Sequence, residues 1–235
     1  MGILGRVGVV AIQLLGELVS PTRCAACDEL VGPRLLFCAA CGPSVTSAGP
    51  QPSAQHSVFD YGGAVATAIA RFKYAGRSDL AARFAEVMAG RGGPDIPVAD
   101  VDLVVPVPLH PRRLVERGFD QAALLAMPIA RSWGVRCAPR ALLRTRPTPP
   151  QASLDRAARA ANVADAFRCA MPEKVRGRRI VLVDDVRTTG ATLTSCADAL
   201  CRAGALEVRS LVLASRDRPG IVQKTALYED WPACK

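Results

Sequence analysis

Four segments indicate the strands of a buried sheet, at 58–61, 101–107, 180–183 and 208–214, and the clearest of them, 180–183, is a continuous run of apolar, mostly β-branched residues. Continuous apolar runs without polar alternation are typical of parallel strands covered on both faces. Helical patterns separate these runs, at 64–76, 79–88, 117–133 and 193–203, and two shorter strands are predicted near Leu143 and Phe167. Strands that alternate with helices predict an α/β fold, with a mainly parallel sheet flanked by helices.

The segment after 180–183 joins two acids to a turn of small residues. The acids are Asp184 and Asp185, and the turn contains Thr188, Thr189, Gly190, Ala191 and Thr192 before a helical pattern begins. Unpaired N–H groups and the positive end of a helix dipole attract an anion, and glycine lets the backbone approach it closely. A carboxylate at a strand's end can accept hydrogen bonds from ribose hydroxyls. The segment predicts a phosphate-and-sugar site, with an ordinary strand–turn–helix unit as the alternative.

A group of basic residues follows the strand at 101–107. Prolines at 106, 108 and 111 are expected to exclude a regular helix, which predicts a loop at the carboxyl edge of the sheet. The loop carries His110, Arg112, Arg113 and Arg117. Ligands of open α/β sheets bind at this edge, so the arginines are candidates for holding an anion. A histidine between prolines is expected to be structural.

Two further polar segments leave alternatives open. Lys73, Tyr74 and Arg77 gather near a helix end, where they form either a solvated basic face or part of the anion site. Residues 144–162 are polar, rich in arginine and proline at their start, and without an apolar period. That profile favours an active-site lid, with a surface loop as the alternative.

Four of the nine cysteines have the spacing of a metal site: Cys24 and Cys27, then ten residues, then Cys38 and Cys41. Four thiolates at this spacing can close tetrahedrally on Zn²⁺ and fold a module too small for its own core. A redox pair would need a βαβ context, and buried thiols would not need the repeated spacing. The other cysteines, Cys137, Cys169, Cys196, Cys201 and Cys234, are expected to be inert thiols.

The ends of the chain and its linker complete the predicted organisation. Residues 1–20 are predicted to form an amphipathic helix, whose charges argue against a signal peptide or membrane span. That helix either docks on its own protein or contacts a membrane surface or partner. The predicted zinc module covers 21–48, a linker covers 49–57 with His56 solvated, the main domain covers 58–215, and a tail covers 216–235. With no export signal, a reducing cytoplasm is expected.

Two segments carry resemblances to known families. IVLVDDVRTTGAT, from Ile180, resembles the 5-phosphoribosyl 1-diphosphate (PRPP) loop of type I phosphoribosyltransferases, in which the acids hold the ribose hydroxyls and the TTGAT turn holds the 5′-phosphate. VVPVPLHPRRLVERGFDQA resembles the signature of the ComF family, which usually has asparagine in place of Asp120. FKYAGR and residues 144–167 also match that family, and the resemblance covers about 14–215.

The resemblance implies a type I phosphoribosyltransferase-like fold with a zinc-ribbon-like N-terminal module. It also implies lid residues at Arg144, Gln151, Arg159 and Asn162. Arg112, Arg113 and Arg117 would then hold the diphosphate, with Mg²⁺ bridging diphosphate and ribose oxygens. Asp184 and Asp185 would hold the ribose and assist a cationic transition state electrostatically.

Three functions remain open at this point. The first is PRPP binding with phosphoribosyl transfer to an acceptor that no residue identifies. The second is a DNA-handling accessory factor in competence or recombination, since ComF relatives are associated with natural competence. The net charge of +9 suits a polyanion, or reflects a GC-rich genome, while aromatic residues at 5% do not form an evident stacking platform for single strands. The third is a PRPP sensor without turnover.

Overall fold

The computed structural model describes residues 21–49, 54–145, 166–216, 231–232 and 234. The strands in these residues are β1 (Gln55–Asp60), β2 (Leu103–Pro106), β3 (Arg136–Cys137), β4 (Leu142–Arg144), β5 (Phe167–Cys169), β6 (Arg179–Arg187) and β7 (Glu207–Ser215). The helices are α1 (Gly63–Tyr74), α2 (Leu80–Asp95), α3 (Pro111–Arg117), α4 (Gln121–Trp133), α5 (Pro172–Val175) and α6 (Ala191–Arg202).

Five strands form one sheet in the order β1-β7-β6-β2-β3, and all of its pairings are parallel. Strands β4 and β5 form a separate antiparallel pair. This arrangement confirms the predicted α/β fold with a mainly parallel sheet. Because β6 lies between β7 and β2, the segments that follow these three strands meet at one edge, where such sheets bind ligands.

Alternating residues of the central strands serve two separate cores. Val181 and Val183 of β6 pack into one cluster with helices α1, α2 and α4, where Phe72 and Phe84 meet edge to face with ring centroids 5.5 Å apart. Leu182, the residue between the two valines, packs into the other cluster with α6 and the β4–β5 pair. Both faces of the sheet are therefore buried, as the continuous apolar runs predicted.

Strand β1 begins earlier than predicted, so the predicted linker at 49–57 was wrong over its last three residues. Gln55 pairs in register with Ser210 of β7, and His56 is 5% exposed where a solvated side chain was expected. Gln55 is buried because its side-chain oxygen accepts a hydrogen bond from Arg187 Nη1, at 2.9 Å. A search for apolar runs misses a polar residue whose partner lies far along the chain.

Helix α3 contradicts the prediction that the prolines exclude a helix before Arg117. Pro111 occupies the first turn, where a missing N–H costs nothing because that group has no partner within the helix. His110 caps the helix, since its Nδ1 accepts from the Arg112 N–H at 3.2 Å, and Gly118 ends it in the left-handed conformation at φ 79°. The structural role expected for His110 agrees with this contact.

The inert-thiol prediction was wrong for two of the five cysteines outside the four-cysteine cluster. Cys201, on α6, forms a disulfide with Cys234 in the predicted tail. The nearby Trp231 donates from its indole N–H to the Val208 carbonyl at 2.9 Å, and Trp231 and Cys234 pack against the second core. The two cysteines are 33 residues apart, and spacing alone did not reveal that they are neighbours in the fold.

Several predictions fall on residues outside the described ranges. These are the amphipathic helix at 1–20 and most of the lid, including Gln151, Arg159 and Asn162. Within the described ranges, no helix has the length and apolar character needed to cross a bilayer.

Candidate functional site

A cavity of about 710 Å³ opens at the carboxyl edge of the sheet, a size typical of ligand pockets. It brings together most of the predicted site. The residues that line it include Lys73, Tyr74, Arg113, Arg117, Asp120, Gln121, Arg144, Asp184, Asp185, Thr188, Thr189, Gly190, Ala191 and Thr192. Residues from six separate helices and strands and the loops beside them therefore face one space.

The turn between β6 and α6 is built for an anion. Gly190 precedes the helix in the left-handed conformation, at φ 79°, and no side chain caps the helix there. The first N–H groups of α6 have no partner within the helix and lie at the positive end of its dipole. An anion in the cavity would satisfy these donors.

Among the residues that the structure describes, two buried polar atoms on the cavity wall have no hydrogen-bond partner. They are the Thr189 hydroxyl oxygen and the Gln121 amide nitrogen. Buried polar atoms in folded proteins are nearly always paired, so an unpaired one at a cavity indicates a ligand group that completes it. Both atoms can donate a hydrogen bond, which suits a ligand rich in oxygen.

The two acids have different surroundings. Asp185 is buried, and its carboxylate lies 2.8 Å from Lys73 Nζ. Asp184 accepts a hydrogen bond from the Asp185 N–H at 2.8 Å, and among the described residues it forms no ion pair. Burial, together with the Asp185 charge, raises the pKa of Asp184 to about 8. Burial lowers the pKa of Lys73, but the Asp185 carboxylate outweighs it and the net shift is upward. The ammonium is thus charged, and Asp184 favours a further cation nearby.

The three arginine candidates divide between the cavity and solvent. Arg113 and Arg117 line the cavity, and Arg117 donates to Gln121 Oε1 at 2.9 Å and to the Tyr74 hydroxyl at 3.1 Å. The Arg117 guanidinium also lies over the Tyr74 ring, 4.9 Å from its centroid. Arg112 points away, with 84% of its side chain exposed and an ion pair to Glu116 at 3.3 Å. The structure therefore does not support Arg112 as a diphosphate ligand.

Arg144 is the described member of the predicted lid, and it lines the cavity from the end of β4. Its guanidinium lies 5.5 Å from the centroid of the Phe167 ring on β5. Burial lowers the pKa of Arg144 below the usual arginine value. Arg144 therefore faces the site from the end of β4.

Sequence reasoning left three contributors unassigned. Asp120, where the ComF family usually has asparagine, caps α4 by accepting from the Ala123 N–H at 3.0 Å, and its second oxygen accepts from the Leu109 N–H at 3.3 Å. Asparagine has a single side-chain oxygen, so it could accept a hydrogen bond at only one of these two positions. Burial raises the pKa of the Asp120 carboxyl.

Tyr61 and Arg216 form a cation–π pair at the cavity rim, with the Arg216 guanidinium carbon 4.4 Å from the centroid of the Tyr61 ring. These two residues directly follow β1 and β7. Because ligands of such sheets bind at the carboxyl ends of the strands, their positions could have identified them as candidates.

The four-cysteine cluster fits a structural zinc site. The sulfur atoms of Cys24, Cys27, Cys38 and Cys41 all lie within 4.8 Å of one another, as a tetrahedral Zn²⁺ site requires. The Cys38 N–H points at the Cys24 sulfur at 3.4 Å. Burial raises the pKa of Cys24, but backbone N–H groups of Cys27 and Cys38 outweigh it and lower the value to about 6. The backbone is therefore arranged to hold a thiolate, the form that binds metal.

Comparison with known proteins identifies a domain family within this chain. Residues 138–228 match the phosphoribosyl transferase domain family. Among solved structures, the glutamine PRPP amidotransferase from B. subtilis is 22% identical, with a TM-score of 0.38, over 59% of this chain and 26% of that chain. The fold, the acid-and-threonine turn and the matched domain define a protein of the phosphoribosyltransferase-domain class.

Curated relatives narrow the class to one family. DNA utilization protein YhgH of Salmonella typhi is 34% identical over 201 residues, which cover 79% of this chain and 87% of that protein. Competence protein F of Haemophilus influenzae is 33% identical over 109 residues, covering 46% of this chain and 48% of that protein. The chain belongs to the ComF family.

Proposed function

We propose that the chain binds PRPP in the cavity and transfers its phosphoribosyl group to an acceptor, with diphosphate as the leaving group. The observation that carries the proposal is the turn from Thr188 to Thr192, where an uncapped helix N-terminus and a Thr189 hydroxyl that is unpaired among the described residues come shortly after two carboxylates. A phosphate at the turn would place the attached ribose beside the acids. Two separate anion-binding groups in one cavity suit a sugar phosphorylated at both ends.

Each part of the cavity then has a role. The turn holds the 5′-phosphate, Asp184 and Asp185 hold the ribose hydroxyls, and Arg113 and Arg117 hold the diphosphate. As diphosphate leaves C1, positive charge develops on the sugar, and a fixed carboxylate stabilises it. A Mg²⁺ ion bound with the substrate would supply positive charge to the leaving diphosphate, and the Asp184 carboxyl, which forms no ion pair among the described residues, would be the group to hold it.

Calorimetric titration of the zinc-loaded protein with PRPP, with and without Mg²⁺, tests the binding step. We expect magnesium-dependent binding, and much weaker binding of ribose 5-phosphate, which lacks the diphosphate. Arg117→Ala should weaken PRPP binding, while Arg112→Ala, which changes an exposed arginine of the same helix, should not. A screen for acceptors that release diphosphate would then separate transfer from sensing.

The proposal fails if PRPP does not bind under either condition. The role of the acids fails separately, if a variant with both Asp184→Asn and Asp185→Asn binds PRPP as the unmodified protein does.

A single-stranded-DNA accessory function is the second candidate. It is favoured by the net charge of +9 and by the names of two relatives, a DNA utilization protein and a competence protein. Single-strand binding measured across salt concentrations tests it. Binding that falls steeply with salt and ignores substitution of the zinc ligands would indicate only non-specific attraction to phosphates.

A cytoplasmic location belongs to the same proposal. Free thiolates for zinc persist in a reducing compartment, which supports that location, whereas the Cys201–Cys234 disulfide weighs against it.

A further inference from the structure

We propose that the four-cysteine module positions helix α1 for ligand binding, so that zinc in the module and PRPP in the cavity strengthen each other's binding. The positioning residues are Asp28 and Ser44, which lie next to and three residues after a zinc-ligand cysteine. The inference builds on the proposed PRPP site and concerns how that site is assembled.

The module holds the amino-terminal end of α1 through Ser44. The Ser44 hydroxyl accepts from the Ala64 N–H at 3.0 Å and donates to the Cys41 carbonyl at 2.8 Å, so one side chain joins the helix to a zinc-ligand residue. Gly63, the first residue of α1, has φ +48°, and a Cβ there would lie 2.5 Å from the Ser44 carbonyl oxygen. Backbone packs directly on backbone at this contact, which leaves the helix little freedom to shift.

The module holds the other end of α1 through Asp28. Asp28 follows the ligand Cys27 and forms ion pairs with Arg71 on α1 and with Arg77 just after it. Arg71 also donates from Nη1 to the Ala26 carbonyl at 3.0 Å, inside the first Cys-x-x-Cys turn. Both arginine side chains are about one-fifth exposed, so solvent screens these pairs less than it screens pairs at a fully exposed surface.

The same turn of helix carries the groups that face the cavity. Lys73 follows Arg71 by two residues, which places the two side chains about 200° apart around the helix axis. Arg71 therefore faces the module while Lys73 faces Asp185, 2.8 Å away. Tyr74, the last residue of α1, accepts the hydrogen bond from Arg117. A rotation or slide of α1 would move all of these groups together.

A buried ion pair is favourable only when its geometry is well fixed, and the Lys73–Asp185 pair has side chains that are 18% and 8% exposed. Fixing α1 at both ends supplies that geometry. The alternative is that zinc folds its own module and nothing more. The two readings differ in a measurable way, because coupling between two binding sites is reciprocal.

The test compares Asp28→Asn with Asp79→Asn in the full, zinc-loaded chain. Asp79 is a matched control, since it is the other carboxylate bound to Arg77 and, among the described residues, it forms no hydrogen bond or ion pair with the module. We expect Asp28→Asn to weaken PRPP binding about fivefold or more, in the range of typical coupling energies. Asp79→Asn should leave PRPP binding within about twofold of the unmodified protein, because no contact between module and α1 is lost. In a Lys73→Met background, the additional effect of Asp28→Asn should disappear.

The reciprocal measurement uses a zinc chelator in competition, with and without PRPP. PRPP should raise the apparent zinc affinity by the same factor by which zinc raises PRPP affinity. Equal PRPP affinities for Asp28→Asn and the unmodified protein, with zinc retained, would overturn the inference and leave the proposed function intact.

Hydrogen–deuterium exchange of the ligand-free protein keeps the inference testable if PRPP does not bind. Asp28→Asn should speed exchange in the last turn of α1 and at the Asp185 amide, and Asp79→Asn should not. Ser44→Ala should speed exchange at the start of α1, and it provides a second variant in case Asp28→Asn does not fold. Unchanged exchange in α1 for both module variants would overturn the inference without reference to PRPP.

Discussion

Replacing Asp184 by asparagine should stabilise the ligand-free protein at neutral and alkaline pH while removing its capacity to bind PRPP. Asparagine keeps the side-chain oxygen that accepts from the Asp185 N–H, and it removes a charge that has no ion-pair partner among the described residues. Burial raises the pKa of this carboxyl from its usual 3.8 to about 8. The folded state therefore binds the proton more tightly than the unfolded state, and stability falls as pH rises across that window.

The size of the effect follows from the shift. One pKa unit corresponds to about 1.4 kcal/mol, so a shift of this size sets an upper limit of roughly 6 kcal/mol. Water in the open cavity screens the charge, and we expect a gain of about 1–3 kcal/mol at pH 8. Urea unfolding of the zinc-loaded protein between pH 6 and pH 8.5 measures it, and the advantage of the variant should grow with pH.

Asp79→Asn serves as the control of opposite sign. Its hydrogen bond with Arg77 lowers the pKa of Asp79, so its charge stabilises the folded state above the usual carboxyl range, and its loss should not raise stability. Suppose that Asp184→Asn is no more stable than the unmodified protein at pH 8. The charged carboxyl would then not destabilise the folded state, and the inference that Asp184 favours a cation nearby would be wrong.

Three further predictions concern single residues. Thr189→Val should not lower the stability of the ligand-free protein, because the hydroxyl has no hydrogen-bond partner among the described residues. By calorimetry, the same variant should weaken PRPP binding about tenfold, the loss expected for one hydrogen bond to a charged group. Gly63→Ala should lower the free energy of unfolding by about 2 kcal/mol or more, through its positive φ and the clash with Ser44. Gly62→Ala, with open space around its Cβ position, should cost less than about 1 kcal/mol in the same urea experiment. Cys38→Ser should release zinc, measured by metal analysis, and open residues 21–48 to proteolysis. Retained zinc would show that the four sulfurs do not share one ion.

The parts of the site that could be predicted are contiguous in sequence. The acids and the threonine turn occupy nine residues at a strand end and a helix start, so their local pattern already defines the geometry. The same holds for the cysteines, where two short repeated spacings specify a tetrahedral cluster. Local chemistry of this kind needs no knowledge of the rest of the fold.

Contacts between distant segments could not be predicted in this way. The Lys73–Asp185 pair and the burial of Gln55 by Arg187 each join residues more than 100 positions apart. Apolar periodicity indicates which face of a helix or strand is buried. It does not indicate which polar residue from a distant segment lies against that face. The polar residues Gln55, His56 and Ser57, which lie in β1, were therefore assigned to the linker.

Predicting a loop instead of a helix at Pro111 also concealed which of the arginines lie on the same face. Once that segment is a helix, Arg113 and Arg117 lie four residues apart on one face, and both line the cavity. Arg112 belongs to the neighbouring face with Glu116. The helical period separates the two cavity-lining arginines from the exposed one, and predicting a loop for this segment lost that information.

The Cys201–Cys234 bond makes part of the chain a covalent ring that contains the whole of β7. A ring of this length restricts the unfolded chain enough to stabilise the folded state by about 3–4 kcal/mol in the loop-entropy description. The zinc ligands have the opposite requirement, because their sulfurs bind metal only as reduced thiolates. A strong reductant added during purification would protect the module and open the ring, whereas air would close the ring and endanger the module. Samples of one sequence prepared by two routes would then differ in both stability and zinc content.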